Sequence, residues 1–130
     1  MSTLKVDNLL NAAGNESPIS VPGAAKAWVN FNGTGTIAIR DSYNISSLTD
    51  NGTGDYTISF TNNMANGNYA VAGAARFNDY INSTVMRVVS LAGLGTLAQS
   101  MSSSSVRVST NYSNGGIEDV QVVCVVVFGD

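Results

Sequence analysis

The C-terminal run of the chain, residues 120–128, constrains the fold more than any other segment. Side chains alternate between the two faces of a β-strand, and here both faces are apolar. One face carries Val120, Val122, Cys124, Val126 and Phe128, and the other carries Val123, Val125 and Val127. A strand of this kind must be covered on both sides, because a bare apolar strand promotes aggregation.

In a two-layer domain, one face of such a strand belongs to the core and the second needs a cover. We predict that Val123, Val125 and Val127 form the interface of a homotrimer. The alternative is a central strand that a loop of its own chain covers.

Composition favours a single all-β domain. The chain has 130 residues, enough for a real core, and only 12% are charged, against about 25% in an average soluble domain. Ser, Thr, Asn and Gly take their place, and these residues favour turns and pleated surfaces over helices.

Short alternating runs separated by turn signals predict an antiparallel β-sandwich or rolled sheet over residues 24–130. The clearest is 55–60, where Tyr56, Ile58 and Phe60 should point inward, after a turn at 50–54. Residues 92–105 fit either a short helix or a flexible loop. The other predicted strands cover residues 27–31, 36–40, 69–72, 85–91 and 106–110.

Residues 1–23 differ from the rest and predict an extended N-terminal arm. Both prolines of the chain, Pro18 and Pro22, lie there. Too few apolar residues lie near one another in this segment to form a core, so we expect its apolar side chains to attach the protein to another component of a particle. These attachment residues are Leu4, Val6, Leu9 and Leu10. The alternative is a frayed terminus with no role.

Several classes of function are disfavoured. The chain has no histidine, which removes the commonest general base and metal ligand, and its six basic residues are scattered, which disfavours nucleic-acid binding. No apolar run is long enough to cross a membrane, and the N-terminus lacks the pattern of a secretory signal, so we expect folding in a cytoplasm. Cys124, the single cysteine, fits a small core residue.

Carboxylates occur close together at two places. Asp50 and Asp55 flank a Gly-rich turn and could offer oxygens to calcium, but a plain hairpin explains them better. Glu118 and Asp119 are adjacent, so on a strand they would point to opposite faces, and we expect a solvated turn. We therefore predict no catalytic residue, no metal site and no cofactor.

Aromatic residues near Asn-rich turns suggest a second possibility, contact with host-surface glycans. Tyr80 and Tyr112 are the candidates, whereas Trp28 and Tyr69 fit core or interface positions better.

The segments 1–11, 25–36, 39–60, 68–71 and 127–129 resemble tail-fibre-like proteins of marine and cyanobacterial bacteriophages. The likeness is most specific at 25–36 and 39–60 and weakens between Phe77 and Ser105. It implies a trimeric structural protein of the virion, with the arm facing the particle and the globular part outward. Typical tail fibres have long shafts, which this chain lacks.

From these observations we expect a non-enzymatic, short tail-fibre-like or appendage protein of the virion. It would form a homotrimer, contact other virion proteins through residues 1–23 and possess no membrane-inserting segment. The alternatives are a capsid decoration, cement or head-fibre protein, and a carbohydrate-binding domain. A depolymerase is disfavoured, because the sequence shows no convergent carboxylates.

Overall fold

The computed structural model describes residues 24–77, 87–92, 100–112 and 115–129, which contain eight β-strands. The predicted arm, residues 1–23, lies outside the described residues. The strands are β1 (Ala25–Asn32), β2 (Ala38–Tyr43), β3 (Ile45–Gly52), β4 (Asp55–Phe60), β5 (Ala70–Arg76), β6 (Arg87–Leu91), β7 (Ser105–Tyr112) and β8 (Val122–Phe128).

The strands form two four-stranded sheets. Sheet I has the order β2-β1-β8-β5, and sheet II has the order β3-β4-β7-β6. Every neighbouring pair is antiparallel. The described residues form no helical element, so the prediction of an all-β fold with antiparallel sheets is confirmed, and the arrangement is consistent with a sandwich.

The core lies between the inward faces of the two sheets. Tyr56, Ile58 and Phe60 of β4 are buried there, as the alternation of the sequence predicts. Phe31 of β1 meets Tyr56 edge-on, with ring centroids 5.0 Å apart, so aromatic packing crosses from sheet I to sheet II.

The three valines predicted to form a subunit interface belong to this core instead. Val123, Val125 and Val127 are 0%, 3% and 2% exposed in the single chain. That prediction is wrong, because sheet II already covers these side chains and leaves nothing of them for a neighbour. Burying each valine contributes roughly 1.5–3 kcal/mol. The outward face of β8 is therefore the one that carries Val122, Cys124, Val126 and Phe128.

Asn44 turns the chain from sheet I into sheet II. It is the one non-glycine residue with positive φ (58°) among the described residues, a conformation that Asn tolerates better than most. Its side-chain amide donates to the carbonyls of Lys26 and Asn62, each at 3.0 Å, and its Oδ1 accepts from the Asn62 amide at 2.7 Å. One corner residue thus links β1 of sheet I to the end of β4 in sheet II.

Asp119 holds the segment before β8 against the β3–β4 hairpin. Its Oδ1 accepts from the Gly54 amide at 2.6 Å and from the Tyr56 hydroxyl at 3.0 Å. Burial, reinforced by this carboxylate, raises the pKa of Tyr56. Tyr69 is similar, because burial raises its pKa to about 12 while its hydroxyl donates to the carbonyl of Ser105 at 2.8 Å. Both phenols therefore stay neutral hydrogen-bond donors that fix loops to the core.

Candidate functional site: the outward face of sheet I

The centre of the outward face of sheet I is apolar where a solvent-facing sheet would normally be polar. Register places Tyr43, Trp28, Val126 and Ala72 side by side across all four strands, in the order β2, β1, β8, β5. The neighbouring row contains Asn30, Cys124 and Ala74. Trp28, Cys124 and Val126 are half-buried, whereas Tyr43, at 58% exposure, is open to solvent.

A shallow groove runs along the middle of this face. Its volume is about 530 Å³, and its walls include Trp28, Ala72, Ala74, Cys124 and Val126. The groove exists because β5 supplies the small side chains of Ala72 and Ala74 beside the larger ones of β1 and β8. Exposed apolar surface is a common feature of interaction sites, so this groove is the candidate functional surface of the described residues.

The outward face of sheet II has the opposite character. Apart from Val88 on the edge strand β6, which is 42% exposed, small hydroxyl and amide side chains cover this face, and none of its charges stands unpaired among the described residues. These side chains are Ser47, Thr49, Thr57, Ser59, Ser90, Ser105, Ser109 and Asn111. Such groups keep their hydrogen bonds to water when the face is exposed.

The β3–β4 turn is a hairpin rather than a calcium site. The Asp50 carboxylate accepts from the Gly52 amide at 2.9 Å, which closes the turn. Asp55 receives two hydrogen bonds from Arg107, at 2.8 Å from Nε and 2.6 Å from Nη2. The bonds from Arg107 lower the pKa of Asp55, so this carboxylate is ionised and already paired.

Tyr112, a predicted glycan contact, lies in a cluster of charged and aromatic side chains. Its hydroxyl donates to Glu118 Oε1 at 2.6 Å, and this bond raises the pKa of Tyr112. The guanidinium of Arg87 lies 4.9 Å from the Tyr112 ring centroid and 5.5 Å from that of Phe77, and its Nε donates to Glu118 Oε2 at 3.2 Å. The hydroxyl and one ring face of Tyr112 are therefore occupied within the chain, and glycan contact stays a prediction.

Several residues singled out in the sequence lie in other surroundings than predicted. Glu118 binds Arg87 and Tyr112 while Asp119 binds Gly54 and Tyr56, so the two neighbours form structural contacts instead of a solvated turn. Cys124 lies on the outward face of β8, so its assignment to the core is wrong. The predicted attachment residues Leu4, Val6, Leu9 and Leu10, and Tyr80, lie outside the described residues.

Comparison with protein-family models, curated proteins and solved structures finds no match to this chain. In the described part of the chain, no helix is long and apolar enough to cross a membrane. No three His, Cys, Asp or Glu side chains of that part lie close enough together to hold a metal ion.

Adjacent valines of β8 test the assignment of its two faces. Val125→Thr is expected to destabilise the fold by roughly 1–3 kcal/mol, because it places a hydroxyl without a partner in the core. Val126→Thr should change the stability of the single chain by less than about 0.5 kcal/mol, since its hydroxyl can reach water. Urea unfolding followed by Trp28 fluorescence, at dilutions where the midpoint no longer depends on protein concentration, measures both. Equal losses for the two variants would contradict the assignment.

Proposed function

We propose that this protein is a non-enzymatic structural component of a bacteriophage virion, a short tail-fibre-like or appendage protein that works as a homotrimer. In this proposal residues 1–23 anchor the trimer to other virion proteins, and the sandwich projects from the particle. Capsid decoration, cement or head-fibre roles use the same trimer at another position.

The observation that carries the proposal is the chemical contrast between the two outward faces. The Trp28, Cys124 and Val126 side of sheet I gains by leaving water, whereas the hydroxyl-rich side of sheet II does not. Copies that pack sheet I toward a common axis bury the first surface and keep the second one outside. The outer surface is then the part that meets a host.

Virion membership and the number of subunits rest on the resemblance to phage tail-fibre-like proteins. Its most specific segments, 25–36 and 39–60, correspond to β1 and to the β2–β4 region. Trp28 belongs to the first of these segments and lies on the apolar face. The likeness therefore includes a residue of the surface that the proposal places between subunits.

Light scattering coupled to size-exclusion chromatography tests the assembly. The full chain at micromolar concentration is expected to show three times its 13.5 kDa mass. Val126→Asp should reduce the mass to that of one chain, because it places a carboxylate in the centre of the apolar face. Circular dichroism should stay that of a β protein.

Ser47→Asp is the matched control, since it adds the same charge to the exposed outward side of sheet II. It should keep the mass of the unmodified chain. A wild-type chain that is monomeric at micromolar concentration would refute the proposed trimer.

The anchoring role of the arm is tested by a chain that lacks residues 1–20. We expect it to fold and to form the same trimer, but to be missing from virions assembled with it, as measured by mass spectrometry of purified particles. Unfolding of the truncated chain would place the arm in the core, and normal incorporation into virions would remove its anchoring role. Locating the full-length protein in an electron-microscopy map distinguishes tail from capsid.

A further inference from the structure

Opposite charges lie at the two edges of the apolar face of sheet I. Asp41 is on the edge strand β2, on the outward side with its register partner Asn30. Arg76 is on the other edge strand, β5, and pairs with Val122, which faces outward like Cys124. Three strand spacings separate the two edges, about 14 Å, which is too far for the two side chains to meet within one sheet.

Both side chains are exposed, and neither forms an ion pair among the described residues. Among the described residues, the carboxylate of Asp41 accepts only from the amide of its neighbour Ser42, at 2.8 Å. The other arginines differ from Arg76. Arg107 and Arg87 bind carboxylates within the chain, and Arg40 donates to the carbonyl of Gln121 at 2.6 Å and to Asn30 Oδ1 at 3.3 Å.

Two other cations of the described part of the chain lie on this side of the sheet: Arg40, which adjoins Asp41 and binds Asn30, and Lys26, which is far from both Asp41 and Arg76. Lys26 lies four residues before Asn30 on β1, about 13 Å toward the opposite end of the strands. The end of the face that carries Asp41 and Arg76 therefore has Asp41 beside Arg40 at the β2 edge, where Arg40 donates to neutral groups of its own chain. At the β5 edge it has a cation without an ion pair among the described residues, and the centre between the two edges is apolar. This is the usual arrangement of a protein interface, whose core is apolar and whose rim is polar.

We propose that the partner of this face is a second copy of the same chain, and that Asp41 of one copy pairs with Arg76 of the next. A cyclic assembly joins one edge of a subunit to the opposite edge of its neighbour, so the two charges meet at every contact. The pair fixes the orientation of the copies, while the apolar surface around Trp28 and Val126 supplies most of the affinity. This inference rests on the proposed homotrimer and names the residues that specify its geometry.

Charge reversal tests the pair. Asp41→Arg places two cations at each contact and Arg76→Asp places two anions there, so each variant should weaken association at least tenfold, measured by light scattering over a dilution series. The double variant, Asp41→Arg with Arg76→Asp, restores opposite charges and should bring the association constant to within about threefold of that of the wild type. Thr49→Arg, on the outward side of sheet II, is the control for added charge and should leave association unchanged.

Neutral variants supply a second measurement that does not depend on repulsion. Asp41→Asn and Arg76→Gln should each weaken association at low salt, and the two effects should not add in the double variant. A wild-type chain that stays monomeric overturns the proposed trimer itself. If the wild-type chain assembles but the charge-reversed double variant has an association constant no higher than that of either single variant, only the pairing of Asp41 with Arg76 is overturned.

Discussion

The structure depends on a central strand, β8, that is apolar on both faces. β8 is hydrogen-bonded to β1 on one side and to β5 on the other, so it cannot move to an edge to hide either face. Its inward valines, Val123, Val125 and Val127, are buried against sheet II. Its outward residues remain beside Trp28 in an open groove. The same strand thus buries one apolar surface within the chain and leaves another open.

This division explains why the two sheets differ in outward composition. Sheet II stabilises the protomer and presents hydroxyl groups and a paired Asp55–Arg107 to water. In the proposed trimer, sheet I stabilises the assembly, and burial of its outward face makes the stability of the fold depend on protein concentration. A virion component assembled from identical copies gains from this arrangement, because the surface that joins the copies is part of the same sheet that forms the core.

Sequence alone predicts the class of fold, most of the strands and the inward side of β4. It predicts that both faces of β8 must be covered, but it assigns Val123, Val125 and Val127 to the subunit interface, whereas they face the core. Alternation along a strand shows that two faces exist but does not show which of them packs against sheet II. The corner at Asn44 is also missed, since Ile37, Ile39, Tyr43 and Ile45 keep the same period of two on both sides of the point where the chain changes sheets. The contacts of Asp119 with Gly54 and Tyr56 join residues more than sixty positions apart, which no local pattern reveals.

The alkylation rate of Cys124 tests most directly whether copies of the chain cover the outward face of sheet I. Its thiol belongs to the wall of the groove, and it is the single cysteine of the chain, so the reaction reports on this surface alone. We predict slow alkylation by iodoacetamide at high protein concentration, rising on dilution to a constant, faster rate while circular dichroism shows the fold intact. A rate that is fast and independent of concentration would contradict the account.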